Sequence, residues 1–133
     1  MTETYSLPSA RAWFAKAESD LRSARILLQA DPPVTEAAAL HCQQAAEKYL
    51  KGVIAYHAVS PPDSPDIEFL LDQVQQHTNA FEILRDDGGQ LTAYALEHRS
   101  HALVDPPSVD EATSALNTAE QFQEIAMGII REE

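Results

Sequence analysis

Three proline-rich breaks constrain the fold of this chain more than any other feature of its sequence. They lie at Asp31-Pro32-Pro33, from Ser60 to Pro65, and at Asp105-Pro106-Pro107. Proline has no backbone N–H to donate and disfavours helical backbone in the residue before it, so a helix must end at each break. Between the breaks the chain is rich in Ala, Leu, Glu and Gln, which are strong helix formers. The sequence therefore predicts an all-α protein.

Helical spacing and capping residues mark the elements between the breaks. Apolar residues spaced by three and four predict one buried face for the first helix: Trp13, Ala17, Leu21, Ala24 and Leu28. Thr35 is the predicted cap of the second helix, because its side-chain oxygen can accept from a free backbone N–H. Ser108 and Glu111 have the spacing of a capping box, which predicts the start of the last helix.

Four or five helices joined by short connections should form one up-and-down antiparallel bundle. The predicted ranges are Pro8 to Ala30, Thr35 to Ala58, a third helix from Pro65 or Asp66 with a short continuation from Asn79 to Leu84, Gln90 to His101, and Ser108 to the end of the chain. We expect Asp86-Asp87-Gly88-Gly89 to turn the chain before the fourth helix. A length of 133 residues suits a single domain, with Leu21 and Leu50 in its core.

Residues 41–52, called the signature segment below, form an Ala-rich helical stretch with polar residues on one side. These residues are spaced by three and four and cluster on one face of the helix: Gln44, Glu47, Lys48 and Lys51. Taken alone, Glu47 and Lys51 are an i,i+4 ion pair in the favourable order, which stabilises a helix by ~0.3 to 0.5 kcal/mol. On that interpretation Lys48 is an ordinary surface residue.

The signature segment resembles the characteristic helix of HEPN domains, a family of small helical domains of higher eukaryotes and prokaryotes. The family pattern runs roughly Gln-Ala-Ala-Glu-Lys-x-Leu-Lys, and residues 44–51 match every position. The opening helix is similar to the family's Trp-x-x-x-Ala-x-x-Asp-Leu-x-x-Ala in Trp13, Ala17, Asp20, Leu21 and Ala24. The resemblance implies a helical domain that pairs as a homodimer and works with a minimal nucleotidyltransferase, as the family's toxin–antitoxin pairs do.

Enzymatic activity is not expected, because the Arg–His spacing of the family's ribonucleases is missing. In those proteins four to six residues separate an Arg from a later His, and no Arg of this chain has a His at that separation. A branch of small prokaryotic members ends the fourth helix with Arg-Tyr-Pro, where this chain has Arg99-Ser100-His101. That branch begins the third helix with His before Asp, where this chain has Pro65-Asp66. If any cleavage occurs, it would be metal-independent, with Arg99, His98 and His101 as candidate catalytic residues.

The first functional hypothesis follows from the resemblance: a nucleotide- or RNA-interacting protein without the ribonuclease motif. The resemblance implies that Arg99 contacts phosphate. Lys48 and Lys51 would add positive potential, and Gln44 and Glu47 would order these lysines by hydrogen bonds.

Neither a metal nor a cofactor is expected. His98 and His101 lie three apart on a helix and could hold a metal. Tyr94 or Glu97 would be the nearby ligand, but an isolated His pair is typical of an exposed helix surface. The histidines of the second helix and its end, which are expected to pack or cap, are His41 and His57.

The sequence favours a cytoplasmic protein. Its longest apolar runs are a few residues, and Met1-Thr2-Glu3-Thr4 lacks the positive and apolar regions of a signal peptide. Cys42 is the only cysteine, so no internal disulfide can form, and we expect a small packed thiol.

The formal net charge of −12 works against long-range attraction to nucleic acid. Six of the nine Lys and Arg lie on the first two helices and could leave one modest basic patch: Arg11, Lys16, Arg22, Arg25, Lys48 and Lys51. The alternative hypothesis is therefore a non-catalytic helical homodimer whose acidic surface binds a protein partner. Phe14 and Phe122 could form the apolar contact between copies or could belong to the core.

Overall fold

Five α-helices and one 3-10 turn make up the part of the chain that the structure describes. The structure is a computed structural model, and it describes residues 5–100 and 105–131, with the backbone alone for 97–100. The elements in chain order are α1 (Leu7–Gln29), α2 (Thr35–Tyr56), α3 (Ile67–Gln75), the 3-10 turn (Glu82–Leu84), α4 (Arg85–Ser100) and α5 (Val109–Arg131). The predicted all-α helical bundle is confirmed. None of the described helices is both long and apolar enough to cross a membrane.

The central helix of the bundle is α2, which packs against the other four described α-helices. Its neighbour α1 runs antiparallel to it. The Ser6 N–H at the start of α1 donates a hydrogen bond of 2.7 Å to the Tyr56 carbonyl at the end of α2. The two helices come very close at Gly52, where an added Cβ would lie 2.4 Å from a ring carbon of Phe14. Glycine at this position therefore allows the aromatic ring to pack directly on the α2 backbone.

Local capping explains where α3 and α5 begin. The Asp66 side chain accepts hydrogen bonds from two backbone N–H groups in the first turn of α3. Ser108 and Glu111 exchange two hydrogen bonds of 3.0 Å at the start of α5, so the predicted capping box is confirmed. Hydrogen bonding of the Glu111 carboxylate, first to the Ser108 backbone N–H and then to the Ser108 side chain, holds the pKa of Glu111 below its usual value. The prediction for α2 was wrong, because Val34 occupies the N-cap position and Thr35 is already helical.

The start of α4 lies earlier than predicted, at Arg85 instead of Gln90. The turn predicted at Asp86-Asp87-Gly88-Gly89 was therefore wrong. The two aspartates lie in the first turn of α4, where negative charge is favoured by the helix dipole. A Cβ added to Gly88 would lie 2.7 Å from the Phe122 ring. Close packing between α4 and α5, and not a chain reversal, thus accounts for this glycine.

Ala17, Leu21 and Ala24 of the predicted α1 stripe lie in the core, whereas the two residues at the ends of that stripe, Trp13 and Leu28, are only partly buried. Leu21 and Leu50 are fully buried. Phe14 and Phe122 are buried as well, which confirms their interpretation as core residues. Cys42 lies in the same core, and burial raises the pKa of its thiol to about 12. Its reactive thiolate form is therefore scarce at neutral pH, as expected of a packed thiol.

Replacement of Leu21 or Leu50 with Ala tests the assignment of the helix faces. Each change should lower the free energy of unfolding by about 2 to 5 kcal/mol, because it removes buried methyl groups and leaves a cavity. Leu96→Ala is the matched control, since Leu96 is 56% exposed and its loss should cost less than about 0.5 kcal/mol. Urea unfolding followed by circular dichroism measures all three variants. A loss below ~1 kcal/mol at either buried leucine would contradict the assigned faces.

Candidate functional site

One polar network on α2 is centred on the Glu47 carboxylate and is called the Glu47 network. The Lys51 ammonium donates to Oε2 at 2.8 Å, and Nε2 of Gln43 donates to Oε1 at 3.1 Å. The same Gln43 nitrogen donates to the Pro65 carbonyl at 2.9 Å. Spacings of four along the helix place the three side chains on one stripe. The Glu47 network therefore links α2 by a hydrogen bond to the loop that precedes α3.

Trp13 of α1 covers the lysine end of the Glu47 network. The Lys51 Nζ atom lies 5.7 Å from the Trp13 ring centre, and the Lys16 Nζ atom lies 5.2 Å from it. Both distances fall within the range of about 6 Å for cation–π interactions. Only 5% of Lys51 is exposed. Its charge is therefore stabilised by Glu47 and Trp13 in place of water.

A second network joins α1 to α2 through one buried carboxylate and is called the Asp20 network. Asp20 is 6% exposed. Its Oδ1 accepts a hydrogen bond from Nδ1 of His41 at 2.8 Å, and its Oδ2 accepts one from Nζ of Lys48 at 2.6 Å. His41 and Lys48 lie seven residues apart, so they reach the same carboxylate from one face of α2. Each oxygen of Asp20 thus has a partner on the neighbouring helix.

These pairings determine what the two α2 lysines can do chemically. Lys48 is held by Asp20, and Lys51 is held by Glu47. An incoming phosphate would compete with a carboxylate for each ammonium group and would be repelled by the carboxylate's charge. Loss of the Glu47 carboxylate would leave the nearly buried Lys51 ammonium with poor access to water, and loss of Asp20 would leave the partly exposed Lys48 without its counter-charge. The geometry therefore favours helix attachment over anion binding at these two lysines.

Of the residues in these two networks, the sequence predicted the pairing of two and did not predict the part played by three others. Glu47 and Lys51 pair as predicted, but the glutamine bonded to Glu47 is Gln43. The Gln44 side chain makes no hydrogen bond to any residue that the structure describes. Ligand binding by Gln44, Glu47, Lys48 and Lys51 is still a prediction.

The missed partners are Gln43, Asp20 and His41, and Asp20 had a recognisable signal. It lies in α1 directly before Leu21 and three residues after Ala17, beside the apolar stripe. A carboxylate in that position becomes buried when the helix packs, so it needs a cation on the facing helix. His41 was expected to pack or cap, and its hydrogen bond to Asp20 depends on a register that the sequence does not reveal.

The fourth-helix candidates lie outside the described side chains. Arg99 and His98 belong to the end of α4, where the backbone alone is described, and His101 lies outside the described residues. Tyr94 is described and lines a cleft of about 140 Å³ between α4 and α5. Within residues 5–100 and 105–131, apart from the side chains of 97–100, no group of three His, Cys, Asp or Glu could hold a metal. Phosphate contact by Arg99 is still a prediction.

Comparisons with known proteins agree on the fold. A family model described as the HEPN domain matches residues 10–130. The crystal structure of TT1696 from Thermus thermophilus has a TM-score of 0.78 and 24% identity, covering 90% of this chain and 96% of that chain. The crystal structure of ST0689, an archaeal HEPN homologue, has a TM-score of 0.72 and 22% identity, covering 91% of this chain and 97% of that chain. No match was found among curated proteins.

Asp20→Asn should weaken the attachment of α1 to α2 with little change in side-chain volume. The amide cannot neutralise Lys48, and we expect a loss of about 1 to 3 kcal/mol in unfolding free energy because Lys48 retains some access to water. Glu18→Gln makes the same chemical change on the exposed side of α1 and should cost less than about 0.5 kcal/mol. Denaturant unfolding compares the two variants, and the Asp20→Asn loss should shrink in a Lys48→Met background. Equal stability of the two single variants would contradict a stabilising role for the Asp20 network.

Proposed function

Because the chain belongs to the HEPN family, we propose that it is a non-cleaving HEPN protein that works as the partner of a minimal nucleotidyltransferase. The pair is of the toxin–antitoxin kind, and the HEPN chain enters it as a homodimer. The proposal joins the partner implied by the family resemblance to the protein-binding role that the site geometry favours.

This proposal rests on the observation that two lysines of α2 form ion pairs within the fold. Lys48 is paired with Asp20, and the nearly buried Lys51 is paired with Glu47. These lysines are poor attractors of phosphate as long as their carboxylates remain in place. The Arg–His spacing of the family's ribonucleases is absent from the sequence as well. Both observations support a role through protein contacts more than one in RNA cleavage.

The charge of the chain supports a partner with a basic surface. The formal net charge is −12. Exposed acidic side chains occur on several described elements, among them Glu36, Asp63, Asp86, Asp87, Asp110 and Glu124. A complementary basic surface would be attracted over several ångströms, which raises the rate of association and makes it sensitive to salt.

Purification of this chain together with a nucleotidyltransferase encoded beside its gene tests the proposal. We expect one complex at micromolar concentration that weakens as salt increases. Light scattering of the free chain should give about twice the chain mass of 14.6 kDa, as a homodimer requires. A nucleotidyltransferase encoded elsewhere in the same genome is the control and should not bind. No complex at low salt, or no such neighbouring gene, would contradict the partnership, and a monomeric mass would contradict the homodimer.

A second candidate function is nucleotide or RNA binding through Arg99. The observation that favours it is the position of Arg99 near the end of α4. This is the place where the Arg-Tyr-Pro branch of the family carries its arginine. A guanidinium group there can donate two parallel hydrogen bonds to one phosphate.

Arg99→Ala separates this second function from the first. If Arg99 binds phosphate, a labelled nucleotide or short RNA should bind weakly to the wild type, with an affinity that falls as salt increases. The variant should lose at least about tenfold in affinity while its thermal unfolding stays unchanged. Arg85→Ala changes an arginine at the other end of α4 and is the control. No binding to the wild type at millimolar nucleotide, or equal binding by both variants, would eliminate the Arg99 site.

A further inference from the structure

A polar cleft lies between α4 and α5, apart from the Glu47 and Asp20 networks, and is called the α4–α5 cleft. Its volume is about 140 Å³. A water molecule occupies about 30 Å³ in the liquid, so the cleft has room for a small organic molecule. Six of the described residues that line it have polar side chains: Asp87, Gln90, Tyr94, Glu111, Ser114 and Thr118.

The two helices run antiparallel along the cleft, which sets the order of these groups. Gly88, near the start of α4, packs against Phe122 in the second half of α5. Asp87 therefore lies at the same end of the cleft as Thr118. Glu111 comes two turns before Thr118 on α5, so it lies at the opposite end. The two ends thus carry one carboxylate each.

Thr118 is the residue that points to a ligand. It is only 6% exposed. Its hydroxyl group makes no hydrogen bond to any residue that the structure describes. The oxygen atom is not sealed inside the core, so it opens to the cleft that Thr118 lines. A hydroxyl group that is nearly removed from water is unfavourable without a hydrogen bond, and a molecule in the cleft would supply one.

The charge of the cleft selects a cation. Asp87 and Glu111 are exposed carboxylates, and no lysine or arginine is among the described residues that line the cleft. Each carboxylate lies in the first turn of its helix, where the helix dipole contributes about half a positive charge. The full negative charge of a carboxylate exceeds that contribution. Both ends of the cleft therefore attract a cation and repel an anion.

The distance between the two ends decides which cation fits. Glu111 and Thr118 lie seven residues apart on α5, which is about 10 Å at 1.5 Å per residue. Oxygen ligands lie within about 2.6 Å of a bound Ca²⁺ or Mg²⁺ ion, so Asp87 and Glu111 cannot share one metal ion. A single ammonium group, such as the end of a lysine side chain, would reach only one end. Two ammonium groups joined by a short methylene chain would reach both.

We infer that the α4–α5 cleft binds a linear aliphatic diamine, of the class to which putrescine and cadaverine belong. One ammonium group donates to Glu111, and the other donates to Asp87 and to the Thr118 hydroxyl group. The methylene chain lies against the apolar residues between the two ends, which are Leu91 and Ala115. The inference goes beyond the proposed function and does not depend on it.

Calorimetric titration with putrescine and with butylamine tests the need for two ammonium groups. The two molecules have the same carbon chain and differ by one ammonium group. We expect putrescine to bind at least about tenfold more tightly, with an affinity that falls as salt increases. Equal binding of butylamine, or no binding of putrescine at millimolar concentration, would overturn the inference.

Mg²⁺ is the control for net attraction. The formal net charge of −12 attracts any doubly charged cation, and Mg²⁺ carries the same charge as putrescine. Because the carboxylates are too far apart to share a metal ion, Mg²⁺ at an equal concentration should leave putrescine bound. Displacement of putrescine by equimolar Mg²⁺ would show attraction by charge alone and would contradict a diamine site.

Asp87→Asn locates the binding in the cleft. Asp86→Asn is the matched control, because Asp86 is exposed in the same helical turn and does not line the cleft. Both variants remove one negative charge. We expect Asp87→Asn to weaken putrescine at least about tenfold and Asp86→Asn to change it less than about twofold. Equal effects of the two variants would place the binding outside the cleft.

Thr118→Val removes the hydroxyl group and keeps the shape of the side chain. Because the hydroxyl group has no partner in the described part of the chain, the variant should unfold at the wild-type temperature or above it. Its affinity for putrescine should fall at least about threefold, whereas Thr118→Ser, which keeps the hydroxyl group, should still bind. Unchanged affinity in Thr118→Val, or a clearly lower unfolding temperature, would show that the hydroxyl group does not serve a ligand.

Discussion

The Asp20 carboxylate is the constraint on which the arrangement of α1 and α2 depends. A carboxylate that is nearly buried is costly unless both of its oxygens find partners. His41 and Lys48 supply those partners from two positions on one face of α2. A shift of α1 by one turn would separate Asp20 from at least one of them. The same register brings Trp13 over the nearly buried Lys51, so one pairing also sets the environment of the second network.

Features encoded locally were predictable from the sequence, and features set by distant packing were not. Ser108 and Glu111 contact each other within one helical turn, so their spacing alone was sufficient. Gly88 was predicted to belong to a turn because nothing near it indicates that the Phe122 ring packs against it. Glycine is suited both to a turn and to a close contact between helices. Only the position of the neighbouring helix shows which of these two roles a glycine has. The prediction that Thr35 caps α2 was wrong for a simpler reason, since α2 begins one residue earlier than the capping pattern requires.

The candidate site shows the same division between local and distant information. The pairing of Glu47 with Lys51 follows from a spacing of four, which the sequence displays. Lys48 helps to hold α1 against α2 because it pairs with Asp20 of α1. The spacing of residues within α2 does not predict that partner. The family pattern includes Asp20 and Lys48 in two separate motifs, and the structure joins them in one ion pair. The pattern is therefore explained in part by the stability of the α1–α2 pair, independently of any ligand.

The two sides of α1 use positive charge in opposite ways. Towards α2, the facing lysines are neutralised by Asp20 and Glu47, so charge there serves the fold. Towards α5, Arg11 and Arg22 have no ion-pair partner in the described part of the chain, while Arg25 and Glu120 hold the helices together. Unpaired surface arginines contribute little to stability, because their charges stay in contact with water. The positive charge of α1 therefore stabilises the fold at Arg25, where a carboxylate of α5 faces it, and contributes little to stability at the exposed Arg11 and Arg22.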